Sequence, residues 1–177
     1  MRWILILSAL LYSAGSVSAA DDLLAVAQKS GRCRTFLKAL QLAGLTSTMK
    51  DYGALTVFAP TDEGFSKLPK DVFDELVKPA NKPELAIILL AHIVKGKMMA
   101  ADLRTMTANT LGDSKIHVSR DGDAVMYGDA NLVRIDLVAS NGVLHLIDKV
   151  VLPEQKEPRT ENKQPRAGAQ SGKKNPQ

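Results

Sequence analysis

The stretch from Thr56 to Pro69, TVFAPTDEGFSKLP, concentrates side chains that could take part in catalysis. A hydroxyl, two carboxylates and a serine lie within six residues, beginning at Thr61. Nucleophilic catalysis also needs a base, and no histidine lies near these groups in the sequence. A structural explanation accounts for them, because Pro60 ends an apolar strand and either Thr61 or Asp62 can cap the helix that follows. The sequence therefore predicts a structural corner here and no catalytic residue.

The three histidines are the residues most suited to binding a metal. His92 follows an apolar helical run and His145 lies in a strand-like run, so we expect both to be buried and hydrogen-bonded. His117 is expected to be exposed on a hairpin strand. None of the three belongs to a typical spacing of zinc ligands, and the acidic turn at 121–123 lacks the further carboxylates of a calcium loop. We expect neither a metal nor a cofactor.

The two ends of the chain differ in composition from the part between them. Residues 1–20 combine Arg2, an apolar run of about ten residues and small residues at the end, which is typical of a secretory signal peptide. A run of that length is too short to span a bilayer, so we expect no transmembrane segment in the mature form. Residues 154–177 hold six Lys or Arg, three Glu and no large apolar residue, which predicts a disordered basic tail.

Residues 21–153 carry sixteen basic and sixteen acidic side chains and are therefore neutral. A domain without concentrated positive charge is not expected to bind nucleic acid. Cys33 is the single cysteine of the chain, so an internal disulfide is excluded. Since Cys33 shares a helical face with Phe36 and Leu37, we expect an inert thiol in an apolar core.

Helical patterns fill most of the first half of the domain. Cys33, Phe36, Leu37 and Leu40 recur at the spacing of one helical face, and Gly44 follows them as a stop signal. Further helices are predicted within 22–31, 66–78 and 82–93.

Strand patterns fill the second half. Short runs at 115–119 and 124–127 flank an Asp-Gly turn, and runs at 131–139 and 142–152 flank Asn141-Gly142. We expect Asn141 and Gly142 to adopt the positive φ angles of a tight hairpin turn. Helices first and antiparallel strands later indicate an α+β domain.

Two segments, TVFAPTDEGFSKLP and NGVLHLIDKVVLP, resemble the two signature boxes of the fasciclin (FAS1) domain. Between them, CRTFLKALQLAGL resembles the first helix of that family, LLAHIVKGK its central segment and TLGDSKIHVS its entry into the strands. The resemblance covers roughly residues 22–153. It implies an α+β wedge of about seven mainly antiparallel strands, with several helices concentrated in the N-terminal half, that serves extracellular adhesion or interaction without catalysis.

The resemblance also nominates residues that bind a partner. Animal members carry a Tyr before the central histidine for receptor binding, whereas Ala91 precedes His92 here, which argues against that mode of adhesion. Asp136-Leu137 resembles an Asp-Ile pair assigned to adhesion, although an exposed Asp and a core Leu alternating on a strand would give the same pattern. The candidate partner-binding residues are His92, Asp136 and Leu137. The residues expected to be structural are Thr61, Asp62, Asn141, Gly142 and His145.

The expected function is that of a secreted, non-catalytic interaction or adhesion module in the periplasm or outside the cell. Its partner would be a protein or polysaccharide of the cell surface, matrix or envelope, and the basic tail would add attraction to anionic surfaces. The alternative is a carrier or sensor that binds a small apolar ligand or a lipid between helices and sheet.

Overall fold

A computed structural model describes residues 21–153. The predicted signal peptide (1–20) and the predicted tail (154–177) lie outside the described residues. Helices occupy most of the first half of this range, as predicted: α1 (Leu23–Ser30), α2 (Arg34–Ala43), α3 (Thr46–Asp51), α4 (Asp62–Ser66), α5 (Lys70–Leu76), a 3₁₀ helix (Pro79–Asn81) and α6 (Lys82–Ala91).

Seven strands form one sheet within the described residues. They are β1 (Leu55–Pro60), β2 (Ile93–Lys95), β3 (Met106–Asn109), β4 (Lys115–Asp121), β5 (Ala124–Tyr127), β6 (Ala130–Ala139) and β7 (Gly142–Ile147). Their order across the sheet is β2-β1-β7-β6-β5-β4-β3. All neighbours are antiparallel except β1 and β7, which run parallel. The prediction of an α+β domain with about seven mainly antiparallel strands is therefore confirmed.

The ends of the first two helices follow from their sequence. The Asp22 side chain accepts a hydrogen bond from the amide of Ala25 and caps α1. Gly31 and Gly44 end α1 and α2 with φ angles of 68° and 77°. Glycine adopts this left-handed conformation without the steric cost that a side chain imposes, so the chain can turn sharply after each helix.

The apolar side chains form two core clusters, one on each side of the central strands. The larger cluster joins the helices to the sheet, and the helices contribute Leu23, Phe36, Leu40, Met49, Leu85 and Leu89 to it. The smaller cluster lies among the strands, where the rings of Phe58 and Tyr127 stack with centroids 4.0 Å apart. The buried Tyr127 hydroxyl donates to the carbonyl oxygen of Ala91, which satisfies its polar group. The strands of both boxes, β1 and β7, lie in the interior.

Several short elements differ from the sequence-based prediction. Strands β2 and β3 and helix α3 were not predicted, because segments of three to six residues are too short to show a hydrophobic period. The β4–β5 turn consists of Gly122 and Asp123, one residue later than expected, and Asp121 pairs with Ala124. Gly122 supplies the positive φ of that turn, at 59°.

Candidate functional site

Thr61 lies at the corner where β1 ends. Its Oγ1 accepts a hydrogen bond from the amide of Gly64 at 3.1 Å, so Thr61 is the N-cap of α4. The residue is buried, and its own amide donates to the carbonyl oxygen of Ile147 at the end of β7. The Thr61 hydroxyl is therefore engaged in the cap of α4, and the Thr61 amide joins the two boxes.

Asp62 caps a different helix from the one that contains it. Its carboxylate accepts from the amide of Thr35 at 2.7 Å and from the amide of Arg34 at 3.3 Å, at the start of α2. Partial burial would raise the pKa of Asp62, but the hydrogen bonds from Thr35 and Arg34 outweigh it and lower that pKa. The first turn of α2 has no acidic residue and no side-chain cap of its own. Asp62 therefore supplies the missing acceptor and ties the corner to α2.

His92 is part of the core. Only 1% of it is exposed. Its Nδ1 donates to the carbonyl oxygen of Ile88 at 2.7 Å, and its Nε2 accepts from the amide of Val151 at 3.0 Å. Burial lowers its pKa to about 4, so the ring is neutral at pH 7. The nomination of His92 as a residue that touches a partner is wrong for this reason: the ring has neither exposed surface nor a free nitrogen.

His145 and Asp136, predicted separately, are brought together by the fold. The amide of Asp136 donates to His145 Nδ1 at 3.2 Å, and His145 Nε2 donates to the carbonyl oxygen of Met98 at 3.0 Å. The Asp136 carboxylate accepts from the amide of Ala100 at 2.7 Å. Asp136 thus links β6, β7 and the segment before β3.

Asp136 also has an unusual backbone conformation. Its φ is 58°, in a region that asparagine and aspartate enter more readily than most residues. The register between β6 and β7 shifts twice nearby, between Leu132 and Arg134 and between Arg134 and Leu137. Bulges of this kind bend a strand and change the direction of its side chains.

The bulged part of β6 exposes apolar side chains. Val133 is 51% exposed, Ile135 48% and Val138 40%. Leu137, the second residue of the predicted pair, is half-buried against the larger core cluster. The exposed aliphatic surface near Asp136 is therefore formed by its neighbours on β6, and Leu137 mainly packs inward.

A groove of about 160 Å³ borders this exposed surface. Its lining consists of Ala100, Arg120, Asp123, Val125, Leu132, Val133, Arg134 and Ile135. Arg120 is fixed there, because its Nε donates to the carbonyl oxygen of Gly122 and its Nη1 donates to that of Ala100, each at 3.0 Å. No sequence pattern indicates this groove, since its walls come from three strands, the β4–β5 turn and a distant loop.

Asn141 and Gly142 serve the fold differently from the prediction. Neither has a positive φ. Asn141 uses its side chain as a bridge, accepting from the amide of Leu23 and donating to the carbonyl oxygen of Met49, each at 2.8 Å. A Cβ on Gly142 would lie 2.0 Å from the carbonyl oxygen of Leu55. The expectation of a positive-φ turn is wrong. Position 142 requires glycine because β1 approaches it closely.

The space between helices and sheet, where the carrier hypothesis places a ligand, is occupied by the larger core cluster. One depression in residues 21–153 is the groove at β6, and another, of about 140 Å³, lies beside Arg32 and Asp62. Both are smaller than the roughly 300–1,000 Å³ typical of small-molecule sites. Across the same residues no group of three His, Cys, Asp or Glu could hold a metal ion. None of the helices in that range has the length and hydrophobicity needed to cross a membrane.

The architecture, a mixed seven-stranded sheet with helices packed on it, is that of an α+β domain. The model of one family, the fasciclin domain, matches residues 31–153. The chain therefore belongs to the fasciclin domain family, as its two boxes suggested.

Relatives and a solved structure support this assignment. Protein sll1483 of Synechocystis is 34% identical over 142 residues, which are 80% of this chain and 78% of that protein. Transforming growth factor-beta-induced protein ig-h3 of Oryctolagus cuniculus is 32% identical over 75% of this chain and 19% of its own length. A FAS1 domain pair from the insect cell adhesion molecule fasciclin I has the same fold, with a TM-score of 0.57 and 18% identity over 70% of this chain and 46% of that one.

Proposed function

We propose that this protein acts outside the cytoplasm as a non-catalytic interaction module that binds a protein or polysaccharide of the cell surface, matrix or envelope. The observation that carries the proposal is the exposed aliphatic stretch of β6, Val133, Ile135 and Val138, in a domain of the fasciclin family. A related domain pair comes from an insect cell adhesion molecule, which supports an adhesive role.

The environment of the polar side chains favours a binding role over catalysis. His92 and His145 each use both ring nitrogens in hydrogen bonds to the protein. Thr61 and Asp62 cap helices. A general base must be free to reach a substrate proton, and these groups are engaged in the fold.

The exposed stretch of β6 offers the surface that a partner can desolvate. Aliphatic side chains contribute about 25 cal/mol for each Å² of apolar surface removed from water. Arg134 lies between Val133 and Ile135 and adds a charge that can select the partner. The N-terminal sequence resembles a secretory signal, which supports placement in the periplasm or outside the cell.

A binding assay with aspartate substitutions on β6 tests the proposal. Purified protein is mixed with envelope and matrix fractions of the source cells, and the bound amount is measured against protein concentration. The double variant Val133→Asp/Ile135→Asp should bind about tenfold more weakly or worse, since each substitution places an unpaired charge in the interface. The control is Ile87→Asp on α6, where the replaced side chain is 53% exposed.

Equal binding by the double variant and the wild type would refute the role of β6. Binding reduced equally by Ile87→Asp would show that any added surface charge weakens association. Circular dichroism of all three proteins establishes that they remain folded.

A further inference from the structure

The groove lies where two strands of the sheet separate. Strand β5 pairs with β6 at only two positions, Met126 with Asn131 and Tyr127 with Ala130. Beyond this point β6 continues to Ala139 and pairs with β7 alone. Within residues 21–153, no strand pairs with the other edge of β6 after Asn131. An unpaired edge of this kind presents backbone groups to an incoming strand.

Three consecutive residues at this edge are exposed: Val133, Arg134 and Ile135. All three lie where the register with β7 shifts, so the exposed stretch follows the bulges and has an apolar side chain before and after the arginine.

The groove is positively charged. Arg120 and Arg134 line it, and neither has an acidic side chain within ion-pairing distance in the described residues. Asp123 is the single acidic residue of the lining. The carboxylate of Asp136 faces the amide of Ala100, and the Ala100 carbonyl oxygen holds Arg120. Asp136 thereby acts as a positioning residue for the arginine.

We propose that this groove docks an extended segment of a partner protein that carries an acidic side chain between apolar ones. The inference rests on the proposed function and names the class of partner. The open edge of β6 would pair with the backbone of the segment, Arg120 and Arg134 would bind its carboxylate, and Val133 and Ile135 would contact its apolar side chains. Addition of a strand to a sheet edge is an established mode of peptide recognition.

Two other occupants fit less well. None of the lining residues is aromatic, so the groove has no flat ring on which a sugar could stack. A second copy of this chain would bring the same two arginines against this groove, and like charges oppose such pairing. Charge complementarity therefore favours an acidic peptide.

A display library of random 12-residue peptides is the probe. Selection on the purified protein should enrich peptides with Asp or Glu flanked by Val, Ile or Leu, and fluorescence anisotropy then measures the affinity of the synthetic peptides. Arg134→Glu should weaken binding about tenfold or more, because it reverses one of the two charges. Lys115→Glu makes the same change at an exposed site on β4, outside the groove, and should leave the affinity unchanged.

A charge exchange separates docking from indirect effects. A peptide in which Lys replaces the acidic residue should bind Arg134→Glu better than it binds the wild type. Absence of enrichment, enrichment without acidic residues, or equal effects of Arg134→Glu and Lys115→Glu would overturn the inference. Displacement of the peptides by polygalacturonate at lower concentration than by unlabelled peptide would assign the groove to an acidic polysaccharide. Concentration-dependent dimerisation that Ile135→Asp abolishes would assign it to a second copy.

The two proposals can fail separately. If the β6 double aspartate variant loses binding to cell fractions and no acidic peptide is enriched, the interaction module stands and the peptide inference falls.

Discussion

Gly142 is the position at which an added methyl group should destabilise the fold most. It begins β7 and pairs with Leu55 across the parallel β1–β7 ladder. A Cβ at this site would lie 2.0 Å from the Leu55 carbonyl oxygen and 2.9 Å from Leu23 Cδ1. Non-bonded heavy atoms sit at about 3.5–4.0 Å. In the Gly142→Ala variant, β1 and β7 must therefore separate by more than about 1 Å at this point.

That displacement sets the expected cost. Moving a backbone oxygen by about 1 Å stretches its hydrogen bonds beyond the accepted limit, and each lost bond costs roughly 1 kcal/mol. Overpacking of a well-filled site adds about 1–3 kcal/mol. Two lost ladder bonds and the clash together give about 3–5 kcal/mol. The free energy of unfolding of a domain this size is about 5–15 kcal/mol, so Gly142→Ala should remove a large part of it.

Urea unfolding followed by circular dichroism measures this loss. Gly53→Ala is the matched control, because a Cβ at Gly53 meets no atom within 4 Å and its φ is not positive. We expect the free energy of unfolding of this control to stay within about 0.5 kcal/mol of the wild-type value. If the free energy of unfolding of Gly142→Ala is less than about 1 kcal/mol below the wild-type value, the argument from close approach is refuted. Failure of Gly142→Ala alone to fold would agree with it.

The remaining predictions concern the corner, the interior and the tail. Asp62→Ala should lower the free energy of unfolding by about 1 kcal/mol at pH 7. This loss should shrink as the pH falls below 3.8, the ordinary pKa of the carboxyl group. Glu63→Ala is the control, and an equal loss in both variants would exclude the cap. Burial lowers the pKa of His92 to about 4, so the unfolded chain binds a proton between pH 6.5 and 4 that the folded protein does not. The free energy of unfolding should therefore fall by about 3 kcal/mol between pH 6.5 and pH 4. Urea titrations of His92→Gln should show a smaller fall over the same pH range. An equal fall in both proteins would contradict this prediction. Cys33 is fully buried, and burial raises the pKa of its thiol. A thiol reagent should therefore label Cys33 only after unfolding. Labelling of the native protein within minutes would contradict the assignment of Cys33 as an inert core thiol. Removal of residues 154–177, which carry a net charge of +3, should weaken association with anionic surfaces at low salt and change little at high salt; loss of binding at every salt concentration would place recognition in the tail.

The corner illustrates what could be predicted from local sequence. Residue type and position were sufficient to expect a cap at Thr61 or Asp62, because capping by Thr61 involves an amide three residues later. The partner of Asp62 is an amide 27 residues away in sequence. No local pattern identifies such a contact, since it depends on how α2 packs beside the corner.

Gly142 and β6 show why the rest could not be predicted. An Asn-Gly pair between strands is a turn signal, but the requirement for glycine here comes from β1, which lies next to β7 only in the folded sheet. Strict alternation along 131–139 predicts an exposed Asp136 and a buried Leu137. The bulges in β6 alter that alternation, so Asp136 is half-buried and Ile135 is exposed.

These contacts divide the domain into an inner and an outer part. Strands β1 and β7 carry the two boxes side by side, and the polar groups around them, at Thr61, Asp62 and His145, are engaged in holding helices and loops in place. A partner that approached those groups would have to break hydrogen bonds that stabilise the fold. Strand β6 is attached to β7 along one edge, yet it leaves β5 after Asn131 and exposes Val133, Arg134 and Ile135. If β6 binds the partner as proposed, its side chains can therefore change while the boxes keep the scaffold intact.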